Sequence, residues 1–488
     1  MADPRTGRVR LGSATGRWVL LSTVLGSGMA MIDGTAVNVA LPRIGIDLDA
    51  KLSALQWAVN AYMLTLAGLI LLGGSLGDRY GRRKVFLTGV VWFALSSALC
   101  GIAPNAELLI AARALQGVGG ALLAPGSLAI IQSAFRPDDR ASAVGAWAGL
   151  GGVAGAVGPV LGGWLVGGPG WRWVFFINLP LAAVVVVPAL RHIPESRDDT
   201  ATGRFDVPGA ALAALALGSL TFALTVASTQ PASAAWAAGI AIVLGTVFIM
   251  VERRSPAPMV PLGLFSSRLF SVVNTVTVLI YGALGGVIFF LVLQLQVTAG
   301  FSPLLAGLAL LPLTLLMLAF SARAADLGKR IGPHIPLTAG PVVAGIGVLL
   351  MLRVGPGASY LTEVLPAATV LGAGMTLLVA PLTATVLDSV DNRRAGTASG
   401  VNNAAARTGS LLAIAALPSL VGLSGSEYQS RTAVDAAFYG AMWTCAGLLA
   451  AAGLLAWFGI RAGVGAPENS DAVCVSCSLS VPPPAATR

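Results

Sequence analysis

Apolar stretches of about 20 residues, the length a helix needs to cross a roughly 30 Å hydrocarbon core, recur along this chain from residue 17 to residue 460. In lipid every backbone N–H and C=O must be bonded within the protein, and a helix does this segment by segment. Composition agrees: 56% of the 488 residues are hydrophobic and only 10% are charged, where a soluble domain carries about a quarter. A soluble enzyme is excluded. Gly (60) and Pro (28) are abundant inside the apolar stretches, where membrane helices tolerate both and Gly permits close helix contact. The alternating ten-residue segments of a transmembrane β-barrel are not visible. The predicted fold class is an all-α polytopic membrane protein.

Fourteen spans are predicted, at 17–41, 53–74, 85–103, 107–133, 142–167, 173–190, 207–228, 234–251, 270–296, 303–323, 335–353, 362–387, 397–421 and 436–460. About 23 of the 30 Lys and Arg fall in alternate connections beginning with the N-terminus, five fall in the others and two lie within spans. Because cytoplasmic loops carry the basic excess, both termini are placed in the cytoplasm and the chain in the cell membrane. The net charge of +9 is distributed as loop clusters, so no nucleic-acid partner is expected. The first stretch is too long for a removable signal and remains as a span.

Three matches recur at nearly one offset. Asp78 closes span 2 as Asp326 closes span 10; Gly117-x-Gly119 with Pro125 in span 4 matches Gly372-x-Gly374 with Pro381 in span 12; Arg140-Ala141 precedes span 5 as Arg394-Ala395 precedes span 13. The offset equals eight helices. It predicts two pseudo-symmetric six-helix bundles with two helices inserted between them. The domains read as a cytoplasmic N-terminus (1–16), an N-terminal bundle (17–190), two inserted helices with their loops (191–269), a C-terminal bundle (270–460) and a disordered cytoplasmic tail (461–488). Spans 7 and 8 hold nothing more polar than Ser, Thr and Gln near their ends, so both are expected at the lipid-facing periphery.

The connection between spans 2 and 3 reads GGSLGDRYGRRK, residues 73–84. Gly74, Gly77 and Gly81 permit a tight turn, Asp78 can sit against a helix N-terminus, and Arg79, Arg82 and Arg83 hold the loop on an anionic membrane face. This string is similar to the cytoplasmic signature of the major facilitator superfamily. Further matches resemble its fourteen-span drug:proton antiporter family: Asp33-Gly-Thr35-x-x-Asn38-x-Ala40-x-Pro42 in span 1, Arg113-x-x-Gln116-Gly117-x-Gly119 in span 4, and Gly158-Pro159-x-x-Gly162-Gly163 in span 5. Trp171-Arg172-Trp173, Asn178-x-Pro180 and Phe301-Ser302-Pro303 with Ala306-Gly307 extend the likeness. It implies a major facilitator fold and proton-coupled export, the direction coming from the span 5 element. Two departures stand out. Ala154 occupies a position of that element that is usually Gly, and residues 303–323 contain no Asp or Glu, which argues against divalent organic cations as substrates.

At 1.5 Å per residue Asp33 lies about 22 Å up span 1, and Arg113, counted inward along span 4, lies about 21 Å up. Opposite charges at one depth can meet. Asp33 is the acid placed well inside a span. A carboxylate balanced between desolvation and a guanidinium can release or take a proton as its access changes. Asp33, Arg113 and Gln116 are therefore read as the proton-coupling group; a permanent Asp–Arg lock between spans 1 and 4, or an outward-snorkelling Arg113, is the structural alternative. Arg407 sits near the middle of span 13 on a polar stripe with Ser399, Asn403 and Ser410. It is too costly to face lipid, so it points into a cavity or pairs across the bundle. A cavity-facing Arg407 disfavours strongly cationic substrates and admits neutral or anionic amphiphiles.

Further candidates for the cavity wall are Asn38, Trp57, Asn60, Tyr62, Trp147, Tyr281, Phe289, Phe290, Gln294 and Gln296, aromatic and amide residues of the kind that hold large ligands. The Gly run of span 5 follows no strand and is a surface for helix contact, not a dinucleotide loop. Of the four cysteines, Cys474 and Cys477 form a single C-x-x-C in the tail, read as a free reduced pair. No metal or cofactor is expected beyond the proton gradient. His192 and His334 lie in loops with no nucleophile–base arrangement nearby, so an enzyme is not predicted. The expected protein is a monomer in the lipid bilayer that exchanges protons for a small amphipathic organic substrate. An uptake symporter on the same fold and a non-transporting membrane sensor or lipid-handling protein are the rival readings.

Overall fold

A computed structural model describes residues 9–197, 206–256, 258–391 and 394–460. They form fourteen long helices: α1 (Ala14–Asp47), α2 (Leu52–Tyr80), α3 (Arg82–Gly101), α4 (Ala106–Ala134), α5 (Pro137–Gly167), α6 (Trp173–His192), α7 (Val207–Val226), α8 (Pro231–Arg254), α9 (Arg268–Thr298), α10 (Pro303–Ile331), α11 (His334–Arg353), α12 (Tyr360–Asp388), α13 (Ala395–Leu420) and α14 (Arg431–Gly459). Apolar pattern decides their existence. Their ends overrun the apolar stretches, as in α2 and α10, because Arg and Lys continue a helix while their heads reach the headgroup layer. The C-x-x-C pair lies outside the described residues.

Thirteen helices are apolar enough to cross a membrane on that criterion; α13 is the exception. Its polar stripe lowers its hydropathy because one face borders water, not lipid.

In the first half α1 lies against α5 and α6, α2 against α4, and α3 against α4 and α6. In the second, α9 lies against α13 and α14, α10 against α12, and α11 against α12 and α14. One pattern is displaced by eight helices. The all-helical fold is therefore two six-helix bundles of matching arrangement. The inserted pair corrects the sequence expectation in part. α8 is largely exposed, as a lipid-facing helix should be, but α7 packs on both α2 and α13 and so occupies the seam between the bundles. Small residues make that possible: a Cβ on Gly68 of α2 would stand 3.1 Å from Cβ of Ala214 in α7.

The start of α1, the α2–α3 turn and the α10–α11 turn share one side of the molecule, here termed the basic face. At the α2–α3 turn Gly81 has φ +110° and ψ 125°, a conformation that L residues avoid. Beyond it the Glu195 carboxylate accepts the backbone N–H groups of Arg83 (3.0 Å) and Lys84 (3.2 Å), while Arg83 Nη1 donates to the Ile193 carbonyl at 3.0 Å. The acid caps the first turn of α3 and favours its dipole. A Cβ at position 81 would lie 2.7 Å from that carboxylate. Gly81→Ala is expected to destabilise this turn by about 1–3 kcal/mol, read as a lowered thermal midpoint of the detergent-purified protein.

Candidate functional site

Close helix approach builds the site. Gly117 of α4 faces Thr65 and the Tyr62 carbonyl of α2 with no room for a Cβ, and Gly119 faces the Phe93 backbone of α3. α4 is thereby wedged between α2 and α3, and the long Arg113 side chain can reach across. Its Nε donates to the Ala58 carbonyl at 3.0 Å, and its guanidinium lies 4.2 Å from the centroid of the Tyr62 ring.

At the other end Arg113 Nη1 donates to Asp33 Oδ2 of α1 in a short ion pair and to Gln116 Oε1 at 2.7 Å. Gln116 Nε2 donates to Asp33 Oδ1 at 2.8 Å, and Asn178 Nδ2 of α6 donates to the same oxygen at 3.2 Å. Asn178 also donates to Ser97 Oγ (2.9 Å), whose hydroxyl donates to the Phe175 carbonyl (2.8 Å). Asp33 and Gln116 are 0% exposed and Arg113 is 1%. The carboxylate thus has both oxygens occupied by donors from two other helices. Buried charge is tolerable when paired and bonded in this way.

Helix rise puts Asp33 and Arg113 at one depth with Gln116 one turn from Arg113, and the three side chains are in contact. In sequence Asn178 stands only as part of a motif in span 6; its role as a further donor to Asp33, and the support from Ser97, come from the packing of α3 and α6. A span 3 serine carries no signal in sequence.

Beside this cluster a cavity of about 1040 Å³ opens on the basic face. Asn38, Tyr62, Trp147, Tyr281, Asn403 and Arg407 line it, drawn from both bundles. Tyr62 is shared: one side of its ring covers Arg113 and the residue also lines the cavity. The other expected wall residues lie elsewhere. Phe289 and Phe290 are buried within the α9 core, because the opposite side of α9, through Tyr281, Leu284, Gly285 and Ile288, faces the cavity. Gln294 is buried and donates to the Val354 carbonyl (2.8 Å) and Asp435 (2.6 Å), within the second bundle. Gln296 donates to the Val39 carbonyl across the bundles at 2.9 Å. Trp57 and Asn60 are not among the described residues of the wall, and Asn60 is fully buried with neither amide atom bonded to a described residue.

Away from the basic face the bundles are joined. Gln56 Nε2 donates to the Ile414 carbonyl at 2.7 Å, the Leu52 N–H to the Gly425 carbonyl at 2.8 Å, and the Tyr428 hydroxyl to the Ala50 carbonyl at 2.7 Å. The Gly-Pro element of α5 seals the same side. Gly158 and Gly162 lie against Thr35 and Ala36 of α1, Gly163 against the Pro303 carbonyl of α10, and Gly307 of α10 against the Pro159 carbonyl of α5. The molecule is closed on one side and open on the other.

At the mouth Asp78 accepts from Arg82 at 2.8 Å one turn away, and Gly74, Gly77, Asp78, Arg79 and Arg82 border the opening. Asp78, expected against a neighbouring helix N-terminus, is thus paired with its own chain, since the turn brings the start of α3 directly over it.

This two-bundle arrangement has counterparts among solved structures. A peptide transporter of the POT family in complex with sulfate superposes with a TM-score of 0.66 at 15% identity, covering 93% of this chain and 96% of that one. A bacterial homologue of the lysosomal transporter Spinster, in an inward-facing and unoccupied conformation, gives 0.63 at 16%, covering 92% and 97%. Sequence relatives are nearer. The probable actinorhodin transporter of Streptomyces coelicolor is 38% identical over 86% of this chain and 75% of its own length. The puromycin resistance protein of Streptomyces alboniger is 32% identical over 94% of each, and the multidrug resistance protein Stp of Mycobacterium tuberculosis is 34% identical over 82% and 75%. Residues 23–414 match the family model of the Major Facilitator Superfamily, which takes in the Asp33 cluster, the cavity and the sealed α5–α10 contact alike. The chain belongs to the Major Facilitator Superfamily.

Proposed function

We propose that this protein exports amphipathic organic molecules across the cell membrane in exchange for protons, by alternating access. The observation that carries the reading is a fully buried carboxylate, held by donors from two other helices, on the same helix that lines a large cavity open on one side. The naming of the relatives as resistance, export and efflux proteins of bacteria supports the direction and the cell membrane. The basic face is assigned to the cytoplasm on the positive-inside rule, which makes the cavity inward-open and leaves both termini inside.

Asp33 is assigned the coupling role. As a carboxylate it accepts at both oxygens; once protonated it must donate from one of them, so at least one of its bonds to Arg113, Gln116 or Asn178 has to change. Those residues belong to α4 and α6, so proton binding acts on how α1 sits against its own bundle. α1 also carries Asn38 on the cavity wall and Thr35 and Ala36 against α5. Proton state, cavity and outer seal therefore share one rigid helix. Rocking of the bundles exposes the cavity alternately, and the membrane potential contributes about 2.3 kcal/mol per charge per 100 mV.

The test is transport in everted membrane vesicles. Energised vesicles are expected to concentrate an amphipathic dye in their lumen, and a protonophore is expected to abolish the accumulation. Proton-driven movement in the other direction would identify an uptake symporter and defeat the export reading.

A further inference from the structure

We propose that Arg407 is an anion-recognition site, and that the molecules this cavity takes carry a carboxylate or phenolate on an aromatic body. The inference rests on the efflux reading above and names its substrate class.

Among the described residues, four charged ones at the mouth border the cavity and are engaged there: Asp78 with Arg82, Arg79 beside the Tyr80 ring at 5.8 Å, and Asp206 as the N-cap that accepts the Gly209 N–H at 2.8 Å. Asp33 is closed off behind the wall with its donors. Arg407 lies further in, about 18 Å along α13 from its start at 1.5 Å per residue. Among the described residues it has no ion pair and no hydrogen bond, and its Nε is buried without a partner. The ionisable groups near it are the phenols of Tyr62 and Tyr281. Among the described residues no acid lines the cavity at this depth.

A guanidinium stays charged and offers five donors in a planar fork that fits a carboxylate through two parallel bonds. When the basic face closes, solvent is excluded from the cavity, and an uncompensated cation inside a membrane bundle is expensive. An anionic guest supplies the missing counter-charge, so occupancy favours closure. A lipophilic cation adds a second positive charge in the same space. The rest of the wall explains why the guest is an aromatic amphiphile and not an inorganic anion. Met31, Met63, Leu284 and Ile288 give it an apolar surface beside Tyr62, Tyr281 and Trp147, and the volume of about 1040 Å³ accepts a polycyclic body.

Two dyes built on one xanthene frame test this: fluorescein, which carries a carboxylate and a phenolate, and rhodamine 123, its cationic ester counterpart. In everted vesicles the wild type is expected to accumulate fluorescein in preference to rhodamine 123. Arg407→Gln is expected to lower fluorescein accumulation about tenfold to a hundredfold, the span of a lost charge-assisted bond, while rhodamine 123 transport is kept or rises. Arg407→Lys, which keeps the charge and loses the fork, is expected to fall between them. Each variant is checked for a single monodisperse peak on size exclusion, and rhodamine 123 transport serves as the sign of a working fold. Equal fluorescein transport by wild type and Arg407→Gln, or wild-type transport of rhodamine 123 alone, overturns the anion site and leaves the efflux reading standing. Transport of neither dye by the wild type counts against that reading and takes this inference with it.

Discussion

Asp33→Asn is expected to abolish proton-driven efflux while the protein still reaches the membrane and still binds its substrate. The substitution keeps the size of the side chain and one acceptor oxygen but removes the charge that faces Arg113 Nη1. Two effects follow, and they can be separated. Coupling is lost because an amide does not titrate. Stability also falls, because breaking a buried ion pair on one side leaves the other charge uncompensated, at about 3–5 kcal/mol. The double variant Asp33→Asn/Arg113→Gln distinguishes the two, since replacing both members of a buried pair by neutral groups is often tolerated. If the pair is only a lock between α1 and α4, the double variant regains active efflux along with its stability. If Asp33 carries the proton, it regains thermal stability and proton-independent counterflow, yet accumulates nothing against a gradient. Active efflux by the double variant would remove the coupling role.

The second large effect is expected at the seal. Gly307 faces the Pro159 carbonyl and Gly163 faces the Pro303 carbonyl, so α5 and α10 touch backbone to backbone across the two bundles. A methyl group at either position has no space while this side is closed. Overpacking costs about 1–3 kcal/mol, and the cost applies only to the conformation in which these helices meet, so the equilibrium shifts about 5- to 150-fold toward the state open on this side. Gly307→Ala and Gly163→Ala are each expected to cut efflux by a comparable factor without loss of folded protein. Spin labels at Ile102 and Leu361, exposed positions on this side in different bundles, report the shift as a longer distance distribution in a background with the four native cysteines replaced. An unchanged distribution with unchanged efflux would show that the contact is not part of the cycle.

These effects differ in how much of their basis the residue pattern carries. The Asp33–Arg113 meeting was legible because helix rise is constant: two residues counted from opposite faces of a layer of known thickness must lie at one depth. The register that sets Gly372 against Gly117 sets Ala368 against Arg113, so the charged cluster belongs to the first bundle alone. By contrast, Asn178 as a donor to Asp33 and Glu195 as the cap of α3 follow from which helices become neighbours. Trp57, Asn60, Phe289, Phe290 and Gln294 were placed on the cavity wall by residue type. An aromatic or amide in a membrane helix serves a core as readily as a cavity, and only the rotation of its helix decides between them.

Residue order alone marked fourteen helices of membrane-spanning length, the repeat of the two halves, and the family that the chain resembles. Each of these depends on the match between apolar length and bilayer thickness, or on short strings whose backbone needs are local. Tertiary structure decided that α7 lies in the seam, that the sealed side is held by α5 against α10, and that Arg407 borders the cavity without a partner among the described residues. Those outcomes depend on helix rotation and neighbour choice. In lipid both are set by close fit of small residues, not by a hydrophobic face that sequence would reveal.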